Sequence, residues 1–273
     1  MLKVPMEELC QLVKDKKYIG NDSIDFDSLE KLGVFILRDA IDSKRIEHYL
    51  NHFKREVNDG ILKKTQHHMT EIKIENSNSL KSITEEPDFI RICSFFFDGN
   101  VGSDYIRIVR KDKDNFEPVF LHQDTCYQIG GFQRYSFFIA LTDANSDNGG
   151  LILYPGLHNF GYLGDAGEIN EQVLPKNYPI ISSDLSPGDI LIMHSAIWHK
   201  SPENLSKKDR IYLEIHIQNI DEPTTSIEIC GSRVSNWRMT LNEDEIFKNS
   251  RVKKIKTLYK EIDELKMKLE SRL

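Results

Sequence analysis

The sequence predicts a mainly β domain with helices at its two ends, a jelly roll or double-stranded β-helix, and three observations carry that expectation. Short apolar, partly β-branched runs recur at 34–37, 105–109, 135–141, 151–154 and 190–193, separated by Gly, Pro, Asn and Asp turns. Residues 210–218 alternate most cleanly. Ile211, Leu213, Ile215 and Ile217 share one face, and Arg210, Tyr212, Glu214, His216 and Gln218 share the other, so one sheet face lines a wet cavity. Helical patterns gather near the two ends instead of alternating with strands, which argues against an α/β sheet.

Taken in order, Met6, Leu9, Cys10, Leu12 and Val13, then Leu29 and Leu32, mark two short helices, the second ended by Gly33. The strand at 34–37 follows. Asp39, Asp42 and Ser43 supply capping residues for a helix carrying Ile46, Tyr49, Leu50, Phe53 and Val57. Residues 59–90 are polar and mixed, and the adjacent His67 and His68 point different ways on any regular element, so they are poor metal ligands. Residues 88–97 read as a buried helix. Residues 143–150 read as a hairpin turn, and 159–180, with Gly161, Gly164 and Gly167, as a loop over the site. The core runs from about 100 to 220 within a domain of 1–232. The remainder, 233–273, is a helical extension whose Val252, Ile255, Leu258, Ile262, Leu265 and Leu269 form a heptad-like stripe, suited to docking on the chain's own body or to pairing in a homodimer.

The 273 residues, 39% hydrophobic and 29% charged, are enough for one sizeable domain with appendages. A net charge of −7 and a pI near 5.8 argue against a nucleic-acid or anionic-membrane partner. No apolar run has the length of a membrane span, and 1–17 lacks the pattern of a targeting segment. Cys10, Cys93, Cys126 and Cys230 lie far apart without zinc-type spacing, which fits reduced thiols in a cytoplasmic protein. Cys126 reads as a packing residue.

Chemistry concentrates at 121–124. In an extended strand His122 and Asp124 present an imidazole and a carboxylate on one face while Leu121 and Gln123 turn away. A second histidine would complete a 2-His-1-carboxylate trio, which leaves open positions on an octahedral ion and is associated with non-haem Fe(II) oxygenases. The downstream candidates are His158, His194, His199 and His216. A 2-oxo acid on such an iron needs a fixed cation for its far carboxylate, a task arginine suits better than lysine. Arg210 opens the alternating strand on its polar face and His199 ends the preceding one, so these two can share a cavity, while His194 and His216 rank as lining residues.

The ordered series His122-Gln123-Asp124, Asn148-Gly149-Gly150, Pro155-Gly156-Leu157-His158, Gly188-Asp189 and His199-Lys200-Ser201 with Asn204 and Arg210 resembles the phytanoyl-CoA dioxygenase family of Fe(II)/2-oxoglutarate oxygenases. The strand and helix after Gly33 also resemble that family's start, so the likeness spans about 28–218. It implies a double-stranded β-helix with His122, Asp124 and His199 as iron ligands and catalytic centre. Arg210 and Ser201 would bind the 2-oxoglutarate far carboxylate, and O2 would be the oxidant. Leu157 departs from the small hydroxyl residue usual before His158, and 135–141 lacks a tryptophan that some members place beside the co-substrate. The retained Asp124 favours hydroxylation or another oxidation over chlorination.

The resemblance thus implies an enzyme that oxidises a small molecule while 2-oxoglutarate becomes succinate and CO2. The substrate leans toward a polar metabolite such as a carbohydrate or secondary-metabolite intermediate, with Tyr127, Gln128, Gln133, His158 and Trp198 as candidate contacts. An acyl-CoA hydroxylase is an alternative that the acidic charge disfavours. A non-catalytic binding module is another, opposed by the intact ligands and arginine. A cupin-like sugar isomerase would want a His-x-His start and a glutamate ligand.

Overall fold

The computed structural model describes residues 3–62, 70–73, 77–124, 133–163, 168–206 and 208–236, with the single positions 264 and 267. The elements run α1 (Met6–Lys14), β1 (Ile19–Gly20), α2 (Phe26–Leu32), β2 (Val34–Leu37), α3 (Ser43–Asn58), β3 (Thr70–Lys73), α4 (Asn78–Lys81) and α5 (Pro87–Cys93). The strands that follow are β4 (Val101–Lys111), β5 (Val119–His122), β6 (Tyr135–Ala140), β7 (Ile152–Tyr154), β8 (Ile181–Ser182), β9 (Ile190–His194), β10 (Trp198–Ser201), β11 (Arg210–Asn219) and β12 (Ile227–Cys230).

Local sequence explains the early helices. Asp25 caps α2 by accepting from the Ser28 amide at 3.3 Å and the Ser28 hydroxyl at 2.8 Å, and Asp42 caps α3 by accepting from the Lys44 amide at 2.9 Å. Gly33 closes α2 at φ +75°, a left-handed position that favours glycine, and a Cβ there would lie 2.3 Å from His158 Nδ1.

Two sheets form the core, and their strands, antiparallel except where β1 runs parallel to β2, give the jelly roll that the sequence predicts. The larger has the order β1-β2-β9-β6-β11-β4-β12, with β3 also on β4, and the smaller β5-β10-β7-β8. The apolar face of β11 (Ile211, Leu213, Ile215, Ile217) packs with Phe137, Ile139, Ile190 and Ile192 under Ile46, Tyr49 and Phe53 of α3 and Phe89 and Ile92 of α5. Each such side chain, buried from water, contributes about 1.5–3 kcal/mol. That layer is the platform on which the opposite, polar face of β11 is held.

Four expectations change. Residues 143–150 do not turn a hairpin, because β6 lies in the larger sheet and β7 in the smaller. The segment instead crosses between sheets, pinned where Asn148 Nδ2 donates to Asp143 O at 2.8 Å and Asn148 Oδ1 accepts from the Asn145 amide at 2.8 Å. The helix expected at 88–97 stops at Cys93, and Phe95 is exposed. His199 does not end the same strand as His194: β9 ends there, and residues 195–197 carry the chain into β10 of the other sheet. Of the 159–180 segment, Ile169, Leu174 and Tyr178 pack on the outer face of the smaller sheet with Leu121, Tyr154, Leu157 and Trp198.

The chain divides into two compact units, Met1–Asn236 and Trp237–Leu273, and all the elements named above belong to the first. No helix among the described residues is long and apolar enough to cross a membrane. The heptad-like stripe at 252–269, the pair His67 and His68, and Cys126 lie outside the described residues.

Candidate active site

The slit between the sheets collects the charged side chains. His122 and His199 are Cα partners across β5 and β10, which brings their rings to 4.3 Å between centroids. β5 ends at His122, so Asp124 follows the strand instead of lying within it, and its amide donates to Ser195 O at 3.1 Å. The sheet-changing turn at 195–197 thereby fixes the carboxylate. Nε2 of His122 and Nε2 of His199 each stand 3.6 Å from Asp124 Oδ1.

Each ring is oriented from behind. Nδ1 of His122 donates to Phe120 O at 2.8 Å and Nδ1 of His199 to Ile197 O at 3.1 Å. A carbonyl only accepts, so both Nδ1 atoms carry the proton and both Nε2 atoms offer lone pairs toward one point, the tautomer a metal requires. Ser136 Oγ donates to Asp124 Oδ2 at 3.2 Å, leaving Oδ1 for the shared point. Burial works to raise the Asp124 pKa, but His199 and His122 overcome it and hold the carboxyl ionised. Burial with His122 alongside pushes His199 down to about 4. For His122, burial is outweighed by its hydrogen bond and charge interaction with Asp124, and its pKa rises. The donor set fits Fe(II): two neutral nitrogens and one carboxylate oxygen, all buried, with ligand atoms within 4.8 Å of one another.

A second group, Asp124, Glu214 and His216, also has its ligand atoms within 4.8 Å. It is already neutralised. Glu214 accepts from Arg107 Nε, from Arg107 Nη2 at 3.1 Å and from His216 Nε2 at 2.6 Å. Burial opposes its charge, yet Arg107 and His216 hold the Glu214 carboxyl below its usual range. A metal ion there would face a guanidinium, so the group with His199 is the better cation site.

Farther along β11, Arg210 is 2% exposed. Its Nη1 donates to Gly149 O at 2.9 Å and lies 3.5 Å from Ser201 Oγ, which itself donates to Gly149 O at 2.7 Å. The guanidinium carbon stands 4.5 Å over the Tyr212 ring, and Nε is buried with no acceptor. A buried guanidinium with an orphaned Nε and, among the described residues, no ion pair fits an anionic group, as a keto diacid presents.

The other sequence-derived candidates are scattered. Gln133 is exposed at the approach to β6. His158 sits at the α2–β2 corner, where Nε2 donates to Glu30 O at 2.9 Å and its ring stands 5.2 Å from that of His194. Trp198 lies on the outer face with Leu121 and Tyr154, because successive residues on β10 face opposite sides and His199 takes the inner one. Tyr127 and Gln128 lie outside the described residues. Sequence reasoning missed Ser136, Arg107 and Lys111. Each was visible as a polar residue at inward parity on its strand, Ser136 beside Phe137 and Phe138, and Arg107 and Lys111 flanking Val109. It also missed Gln123, whose Nε2 donates to Ala196 O at 2.7 Å and Gly161 O at 2.9 Å while Oε1 accepts from the Leu163 amide at 3.1 Å.

Known proteins share this fold. The model of the family described as phytanoyl-CoA dioxygenase (PhyH) matches residues 29–212. A phytanoyl-CoA dioxygenase of Arabidopsis thaliana is 31% identical over 108 residues, 37% of this chain and 38% of that protein, so the chain spans well under half the length of this relative. The dioxygenase AndF of Emericella variicolor is 25% identical over 207 residues, 67% of this chain and 68% of that one. Among solved structures, the epimerase SnoN in complex with Fe3+, alpha ketoglutarate and nogalamycin RO aligns with a TM-score of 0.65 at 14% identity, covering 81% of this chain and 88% of that chain. The carbocyclase SnoK from nogalamycin biosynthesis aligns with a TM-score of 0.63 at 14% identity over 74% and 86%. With the family pattern spanning both sheets, the chain belongs to the phytanoyl-CoA dioxygenase family of iron- and 2-oxoglutarate-dependent oxygenases.

Proposed function

We propose that this chain hydroxylates, or otherwise oxidises, a small polar metabolite such as a carbohydrate or secondary-metabolite intermediate, releasing succinate and CO2. The observation that carries the reading is the pairing of a buried His122, Asp124 and His199 trio with a buried Arg210 that forms no ion pair among the described residues, all in one slit. His122, Asp124 and His199 are the metal ligands, and Arg210 with Ser201 binds the far carboxylate of 2-oxoglutarate. When bound, iron and 2-oxoglutarate together supply the oxidising power that O2 alone lacks kinetically. The chain's own residues do the rest. Ser136 and the carbonyls of Phe120 and Ile197 orient the ligands, and Ile197, Leu153 and Tyr212 help keep the surroundings of the site dry.

Beyond the metal, away from Arg210, Arg107, Glu214 and His216 make a charged wall, with the Tyr105 ring 5.1 Å from that of His216. A wall of this kind suits hydroxyl or amide groups better than a bare alkyl chain, and it supports the polar substrate class. The nogalamycin ligand of SnoN agrees with a secondary-metabolite intermediate. A second reading, an acyl-CoA hydroxylase, is favoured by the name of the Arabidopsis relative. Free thiols at Cys10, Cys93 and Cys230 support a cytoplasmic location, and the stripe at 252–269 supports a homodimer, which sedimentation of the full chain tests.

A panel of polar metabolites and acyl-CoA thioesters, scored by succinate formed above the uncoupled background, tests the function. The expected result is stimulation by a polar metabolite that needs both Fe(II) and 2-oxoglutarate. Stimulation by acyl-CoA alone selects the second reading, and failure to consume 2-oxoglutarate under any condition overturns both.

A further inference from the structure

Lys111 and Arg210 are Cα partners across β4 and β11, and both side chains face the slit. Lys111 is 3% exposed and Arg210 2%. Among the described residues neither forms an ion pair. Lys111 Nζ donates to Ser201 O at 3.3 Å and to Pro202 O, both carbonyls, while its stem lies along Gly149, where a Cβ would come within 2.7 Å of Lys111 Cδ. Gly149 O in turn accepts from Arg210 and Ser201. Two cations thus converge on one short stretch of backbone, and the carboxylates whose charges reach them, Glu203 for Lys111 and Glu214 for Arg210, form no ion pair with either among the described residues. Burying even one unpaired charge is costly, and a second beside it adds repulsion. An ammonium has three protons, and the two carbonyls take two of them.

We propose that Lys111 is a second cation of the co-substrate pocket, holding the far carboxylate of 2-oxoglutarate together with Arg210 and setting the preference for a keto acid that bears a second carboxylate. The inference rests on the reading of the slit as a 2-oxoglutarate site and adds a residue to it. Burial and the neighbouring guanidinium pull the Lys111 pKa down to about 7, a strain that a bound carboxylate relieves. A purely structural lysine, clamping the end of β10, would serve every ligand alike.

That contrast defines the test. The full chain is loaded anaerobically with Fe(II), and dissociation constants are measured by equilibrium dialysis and by thermal shift for 2-oxoglutarate and for 2-oxopentanoate, which has the same carbon chain without the far carboxylate. Lys111→Met is expected to weaken the diacid by about tenfold or more and to leave the monoacid within about twofold. Lys111→Arg keeps most of the diacid preference. Equal weakening of both acids, or no weakening of either, overturns the proposal. Should Lys111→Met not fold, Lys111→Gln and Lys111→Arg decide, the first losing the diacid preference and the second retaining it; equal preference in the two overturns the proposal. A wild-type chain that binds iron but not 2-oxoglutarate instead refutes the underlying reading of the slit.

Discussion

The two ends of the slit are electrostatic opposites. At one, Asp124 faces two imidazoles across 3.6 Å, an arrangement that lacks a cation. At the other, Arg210 and Lys111 contact carbonyls, a hydroxyl and a ring, and among the described residues neither forms an ion pair, an arrangement that favours an anion. The Arg107, Glu214 and His216 group between the sheets shows what a satisfied network looks like here, with each charge matched. A slit short of a cation at one end and of an anion at the other is shaped for a metal with a keto diacid reaching from it. Neither end is explained by folding stability, since unmatched buried charge opposes folding.

Removing the acid end should have the largest effect. Asp124→Ala is expected to lower iron affinity by more than about 100-fold, judged against the smaller losses that follow outer-shell changes, while the far-UV spectrum stays unchanged. Iron content after anaerobic reconstitution measures it, and full occupancy in the variant would refute the ligand assignment. At the cationic end, Arg210→Ala should weaken 2-oxoglutarate by on the order of 30-fold or more without altering iron affinity, because one partner of a buried charge-assisted contact is truncated. Equal losses of both ligands would dissolve the contrast between the two ends. A gentler probe is Ser136→Ala, which removes the donor to Asp124 Oδ2 and should reduce iron affinity about tenfold.

Two pH effects sharpen the comparison. With free Lys111 at about 7 and its bound form raised by the carboxylate, binding takes up a proton above pH 7. Affinity for 2-oxoglutarate should therefore fall as pH rises from 7 toward 9, and Lys111→Arg should flatten the slope. Stability follows the neutral histidines. Burial depresses His158 to about 4 and His194 to about 3 from an ordinary value of 6.5, so the unfolded chain binds protons that the folded one refuses. Their contribution is complete above pH 6.5 and is lost as pH falls from there toward 4, visible as a dropping midpoint in thermal melts of the metal-free protein. A flat profile across that window would contradict the burial.

Much of this organisation is legible in the residues. The alternation at 210–218 predicted which face of β11 is polar, and the His122, Asp124, His199 and Arg210 spacing pointed at residues that the fold does bring into one slit. What stayed hidden depends on which sheet a strand joins. The composition of 143–150 is equally good for a hairpin and for a crossing between sheets, since both need the Asn and Gly chemistry found there. Trp198 adjoins His199 in sequence yet faces outward, and only the pairing of β10 with β5 fixes that parity. Lys111 and Arg210 are about a hundred residues apart in sequence, and no local pattern announces that a register across β4 and β11 will set them side by side.

Gln123 is flanked by His122 and Asp124, and its amide holds the backbone of Gly161, Leu163 and Ala196. Two of these bonds reach the 159–180 segment and the third the 195–197 turn, so one side chain ties both to the backbone between His122 and Asp124. Parting Gly161 and Leu163 from Gln123 breaks two hydrogen bonds made by the residue between His122 and Asp124 in the chain, so movement of that stretch and the placing of those two side chains are coupled.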